Sequence, residues 1–181
     1  MATTTPRIPP LPAEAFSAEQ AEVAKGRESL NLARVFVQHP AVYRAFIPLA
    51  EQLFLRSGLL PREREILILR ALALCNEHYD LSHHLVIARD VGMSDGDIEA
   101  AQRGSAELSD FEQLLAKAAE ELVLEQGIGD ATWQALAQRY SVPQLMEVVF
   151  LVGIYLMMAM GTKSFGVQLE DEPGPALHST R

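Results

Sequence analysis

The sequence predicts an all-α protein, and three observations carry that expectation. Every break between apolar segments bears helix punctuation: a capping residue, a proline or a glycine. Apolar residues recur at spacings of three and four within the segments. No stretch sustains the period-two alternation of a strand. The expected architecture is a single-domain helical bundle of about six to eight helices.

The elements follow in order. Residues 1–16 are rich in proline and threonine and read as an extended arm. Ser17 followed by Gln20 is a capping box for a helix through about Ser29. A short helix from Asn31 stops before Pro40, and AVYRAFIPLAEQLFLRSG runs to Gly58 as a C-terminal cap. Pro61 opens a segment reaching Gly92, too long for one ordinary helix, so a break is expected near Leu74 to Asn76. Ser94 with Asp97 caps a helix through Gln102, and Ser109 starts one ending at Gly127. Asp130 starts a helix through Tyr140, and Ser141 starts the last, 142–165. That helix is apolar nearly all round, which predicts burial on every side, in a bundle centre or a subunit interface. The domain is expected over 17–166, with 167–181 as an acidic, proline-bearing surface tail.

Composition narrows the function. The chain has 181 residues, 49% hydrophobic and 22% charged, which are globular values. Lys plus Arg number 15 against 24 Asp plus Glu, for a net charge of -9. No nucleic-acid partner is expected, because such affinity rests on cations. Cys75 is the only cysteine, so no internal disulfide or CxxC redox pair exists. The start, MATTTPRIPPLPAE, lacks the apolar core of a secretory signal. The most apolar run, Val148 to Thr162, is shorter than the roughly 20 residues of a membrane span. The expectation is a cytoplasmic protein with no membrane partner.

The informative stretch is NEHYDLSHH, residues 76–84. On a helix, Glu77, Asp80 and His84 share one face, and Tyr79 and His83 the adjacent one. The apolar residues Ala71, Leu74, Leu81, Leu85 and Ile87 turn part of the cluster inward. Carboxylates buried beside imidazoles titrate as a coupled set, the usual condition for acid–base chemistry. The same residues also read as a solvated face, or as a structural Asp80–His84 hydrogen bond. Two carboxylates and a histidine resemble iron or manganese ligand sets, but the spacing matches neither HExxH nor a paired ExxH, so no metal is assigned.

The block PREREILILRALALCNEHYDLSHHLVIARDVGMSDGDIEAAQRG resembles the core of the carboxymuconolactone decarboxylase family, which includes the alkylhydroperoxidase D-like proteins. RIPPLP, NLARVFVQHP and LVGIYLMMAMGTKSFGVQLE are similar to parts of its longer members. The resemblance implies the alkylhydroperoxidase D-like helical fold and a homo-oligomer, a dimer or trimer with a hexamer also compatible. It matches Glu65 to the glutamate of the peroxidase branch and His84 to its histidine. Glu77 and Asp80 occupy the two cysteine positions, so a thiol peroxidase cycle is not expected. Against the decarboxylase branch, Tyr79 agrees, Asp80 is one methylene shorter than glutamate, and Leu81 stands for tryptophan.

The expected function is cofactor-free decarboxylation, isomerisation or dehydration of a small carboxylated or lactone compound. Glu65, Glu77, Asp80 and His84 are the catalytic candidates. Tyr79, His83 and Arg70 are the substrate-binding candidates, with Arg34 a second possible anion holder. None of the three lysines falls inside the motif, which disfavours a Schiff base. The alternatives are a thiol-independent antioxidant protein and a non-catalytic helical oligomer. Glu65 and His84 should meet if the chain bends near Cys75.

Overall fold

A computed structural model describes residues 5–171. Residues 1–4 of the expected arm and 172–181 of the expected tail lie outside the described residues. The fold is all-α, with nine α-helices and no strand among the described residues. They are α1 (Ala18–Ala24), α2 (Asn31–Phe36), α3 (Pro40–Leu55), α4 (Pro61–Leu74), α5 (Tyr79–Asp90), α6 (Asp95–Arg103), α7 (Asp110–Glu125), α8 (Asp130–Ala137) and α9 (Val142–Phe165).

The caps lie where the sequence places them. Ser17 and Gln20 close α1, Ser94 and Asp97 close α6, and Ser109 N–H and Oγ both donate to Glu112 at the start of α7. Several boundaries differ from expectation, among them α8, which ends at Ala137 and not at Tyr140. Helix α1 ends at Ala24 because Gly26 turns into the left-handed region at φ +83°. Helix α3 includes Pro40 as its first residue, with His39 Nδ1 accepting from Val42 N–H. It ends at Leu55, and Gly58 instead donates its N–H to Glu147. Gln126, at φ +60°, terminates α7 one residue before the expected glycine.

The described residues divide into two compact units, one of 5–50 with 160–171 and one of Glu51–Ala159. In the first, Ala24, Leu30, Ala33, Val37 and Tyr43 form a buried cluster. The arm is tied to its own chain. Arg7 and Ile8 N–H donate to the Phe165 carbonyl, and Leu11 exchanges bonds with Arg34. One 3-10 turn, Ala13–Ala15, interrupts the extended stretch. Arg34, considered as an anion holder, spends its Nε on the Leu11 carbonyl at 3.1 Å.

In the second unit α4 is central and packs on α5, α6 and α7. Its Ile66, Leu67, Ile68, Leu69 and Leu72 are wholly buried. Burying side chains of this size contributes about 1.5–3 kcal/mol each. Arg62 ties α4 to both neighbouring helix starts, with Nε 2.6 Å from Glu112 and NH2 3.1 Å from Asp97. Arg62 first, then the Ser94 N–H and hydroxyl, hold the Asp97 carboxyl below the usual carboxylate range. A carboxyl lowered in this way adds stability that is complete above its unfolded pKa of about 3.9. That stability is lost as pH falls through the folded value. The thermal midpoint should therefore drop as pH decreases below about 4. Asp97→Asn should lower the midpoint at pH 7 and shrink the difference between pH 7 and pH 3, measured by calorimetry.

Helix α9 departs from one of its two expected placements, the bundle centre. By length and composition alone it is the one helix among the described residues that could cross a membrane, a test the core helix of a water-soluble fold also passes. It is also not covered all round. Val148, Leu151, Val152 and Tyr155 are buried, whereas Val142, Met146, Phe150 and Met157 are exposed.

Candidate active site

Asn76 is the hinge that builds the site. It takes φ +48°, a conformation asparagine tolerates better than most residues. The chain turns there, with Glu77 N–H donating to the Leu72 carbonyl at 3.1 Å, and lays α5 against α4. The turn brings His84 onto Glu65: Nδ1 lies 2.8 Å from Oε2, with Glu65 1% and His84 3% exposed. With Glu65 ionised, Nδ1–H donates, and Nε2 is the ring nitrogen left to exchange a proton with a substrate.

The imidazole is walled by two rings that the sequence does not connect with it. Phe54, near the end of α3, meets it edge to face at 5.6 Å, and Tyr155 of α9 at 5.0 Å. Burial first, then the negative fields of Glu65 and Asp80, pushes the Tyr155 hydroxyl well above its ordinary pKa, against a smaller opposing effect of Arg64. Tyr155 therefore stays a neutral phenol, a hydrogen-bond donor beside the proton carrier. A signal for it existed only in the helix itself, since nothing links residues 84 and 155 in the sequence.

Three sequence assignments change. Glu77 does not join the Glu65–His84 pair. Its Oε1 accepts from Tyr79 N–H at 3.0 Å, and its Oε2 from Asp80 N–H at 2.8 Å and Leu81 N–H at 3.4 Å. It is the N-terminal anchor of α5, a position that favours a carboxylate. Asp80 is buried, but the carboxylate bonded to His84 Nδ1 is that of Glu65. Arg70 is committed elsewhere. Its NH1 donates to the Gln102 carbonyl and its NH2 to Glu120, both at 2.8 Å, locking α4 to α6 and α7. These partners lie on α6 and α7, not beside His84.

Tyr79 is buried and His83 half-buried, and their rings meet at 4.9 Å on the adjacent face of α5. Among the described residues no group of three or more His, Cys, Asp or Glu side chains converges as metal ligands. Glu77, Asp80 and His84 share a helical spacing without forming such a set. A depression of about 620 Å³ along α7 is lined by Asp110, Lys117, Glu120 and Glu121 and shares no residue with this cluster.

A family described as "Carboxymuconolactone decarboxylase family" matches residues 40–122. No curated protein sequence matches the chain. Among solved structures, the chain is similar to a peroxidase-related protein from Ralstonia eutropha with an alkylhydroperoxidase AhpD core. The identity is 17%, covering 91% of this chain and 93% of that one at TM-score 0.76. It is similar to the debrominase Bmp8 at 17% identity, covering 93% and 95% at TM-score 0.76. A form of that debrominase with a cysteine replaced by alanine is solved with 2,3,4-tribromopyrrole. An Agrobacterium tumefaciens protein of unknown function, described as a candidate antioxidant defence protein AhpD, is 20% identical, covering 76% and 97% at TM-score 0.68. At such identities these likenesses establish the fold. Residues 40–122 thus match the carboxymuconolactone decarboxylase family, within a chain that has the AhpD-like fold.

Proposed function

We propose that the chain is a cofactor-free acid–base enzyme acting on a small carboxylated or lactone compound by decarboxylation, isomerisation or dehydration. The buried Glu65–His84 hydrogen bond carries the reading. A carboxylate on Nδ1 fixes the tautomer and supports positive charge on the ring, which makes Nε2 an effective proton carrier. For decarboxylation, the bond to the departing CO2 breaks and its electron pair moves onto the conjugated carbonyl oxygen. The Tyr155 O–H donates to that oxygen, and the His84 Nε2–H delivers its proton to the carbon. Solvent returns a proton to the ring. Asp80 supplies negative field, and the Tyr79–His83 ring pair lines the substrate.

The reading includes a cytoplasmic homo-oligomer without nucleic-acid or membrane partner and without a bound cofactor. Exposed Val142, Met146, Phe150 and Met157 on α9 support self-association. Incubation with a panel of unsaturated lactone acids and conjugated carboxylic acids tests the chemistry. CO2 release, or proton exchange in D2O seen by NMR, should appear with wild type and vanish in His84→Asn. No turnover across the panel would favour the non-catalytic oligomer.

The AhpD-like relatives favour a second reading, an antioxidant role, and the residues argue against its thiol form. Glu77 and Asp80 can form neither a sulfenic acid nor a disulfide, and Cys75 is the C-cap of α4, ahead of the hinge. Cys75→Ser should leave activity on the panel, and any peroxide consumption, nearly unchanged, since no second cysteine exists to close a disulfide with it. A large loss in a coupled peroxide assay would restore the thiol reading.

A further inference from the structure

Arg64 is the cation of the second unit that no carboxylate claims. Each of the other lysines and arginines in 51–159 lies within 4.0 Å of a carboxylate oxygen: Arg56, Arg62, Arg70, Arg89, Arg103, Lys117 and Arg139. Arg64 instead gives NH1 to the Leu59 carbonyl at 3.2 Å, and its buried Nε has no hydrogen-bond partner. The carboxylates whose fields reach it are spent elsewhere, Glu65 on His84 and Glu147 on Ser57 and Gly58. Burial is the largest influence on the guanidinium and pulls its pKa down from the ordinary value, though arginine keeps its charge at physiological pH. Leaving such a charge half-buried and uncompensated is costly. An anion would remove that cost.

The position says which anion. The guanidinium lies over the Phe54 ring at 5.4 Å, and the same ring meets the His84 imidazole at 5.6 Å. One aromatic ring thus joins the unclaimed cation to the proton carrier. Glu65 Oε1, the oxygen not facing His84, is likewise buried without a partner. The site therefore holds an unsatisfied donor and an unsatisfied acceptor beside a wall of aromatic rings.

We propose that Arg64 is the anion-binding residue of this site, and that its ligand is a small planar organic carboxylate bearing a hydroxyl, or an accompanying water, that donates to Glu65 Oε1. The inference rests on the acid–base reading and deepens it, replacing Arg70 with Arg64 as the residue that selects the substrate's charge. A guanidinium grips a carboxylate with two parallel N–H bonds, which a neutral amide of the same shape cannot reproduce.

Calorimetric titration with sorbate and with its neutral amide, sorbamide, tests this on the full-length protein. Wild type should bind the acid about tenfold more tightly or better, the difference one charge-assisted contact supplies. Arg64→Gln should erase the preference, and Arg64→Lys, which keeps charge without the fork, should retain part of it. Circular dichroism identifies any variant that fails to fold, in which case the lysine variant carries the comparison. His84→Asn should keep the preference for the acid. No preference in wild type, or one that survives Arg64→Gln, overturns the proposal. The two readings fail separately. A preference lost only at Arg64, without turnover of any acid, keeps the anion site and removes the acid–base chemistry. Turnover abolished by His84→Asn with sorbate and sorbamide bound alike does the reverse.

Discussion

Glu65→Gln should lower turnover by about 10²- to 10⁴-fold, the range a positioned acid–base group supplies, with the fold retained. The argument turns on what the isosteric amide preserves. Its carbonyl can still accept from His84 Nδ1–H, so the ring stays oriented at the observed 2.8 Å. Its negative charge is gone, so the buried imidazolium loses its counter-ion. Without that charge the ring carries positive charge less well as it passes a proton to the substrate, and kcat should fall. Glu65→Ala is the structural contrast. It leaves the imidazole unpaired among Phe54 and Tyr155, and removing one partner of a buried pair costs about 3–5 kcal/mol. An unchanged rate in Glu65→Gln, beside a destabilised alanine variant, would reduce the pair to a structural link.

The fold was legible because its signals are local. Ser17 and Gln20, Ser94 and Asp97, and Ser109 and Glu112 each satisfy helix-end amides within one turn, and such pairs can be read three residues at a time. Pro61 and the bend beside Cys75 are of the same kind. The site was legible only in part. His84 and Glu65 are drawn from adjacent helices joined by a short turn, so the family pattern reaches both. Spacing places Glu77 on the His84 face, whereas Asn76 turns the chain just before it and lets its carboxylate fold onto the α5 amides. Arg70 and Arg64 are indistinguishable by type. Only the packing of Gln102 and Glu120 against the one, and of Phe54 against the other, separates them. Phe54 and Tyr155 come from α3 and α9, and no pattern in the chain announces that their rings meet the imidazole.

Phe150→Glu should convert an oligomer into a monomer of about 20 kDa, read by light scattering against the 19.9 kDa chain mass. Val142, Met146, Phe150 and Met157 recur at intervals of four, four and seven, which places them along one side of α9. They are 69%, 50%, 51% and 51% exposed, while Leu145, Val148 and Val152 behind them are almost fully covered. Gly153 lies on the open side, where an added Cβ would touch nothing within 4 Å, so another helix could approach the backbone closely there. A continuous apolar stripe of this kind is uncommon on the surface of a monomer. The arm, the other candidate contact, has its residues 7–11 hydrogen-bonded to its own chain, which leaves α9 as the stronger one. Phe150 is half exposed in the isolated chain, so the glutamate should cost the subunit little stability. A charge buried between two copies would oppose association by several kcal/mol. Wild type should scatter as a dimer or larger at micromolar concentration and the variant as a single chain with a nearly unchanged thermal midpoint. Wild type at the mass of one chain would mean that α9 presents this stripe to solvent, and self-association would fall with it.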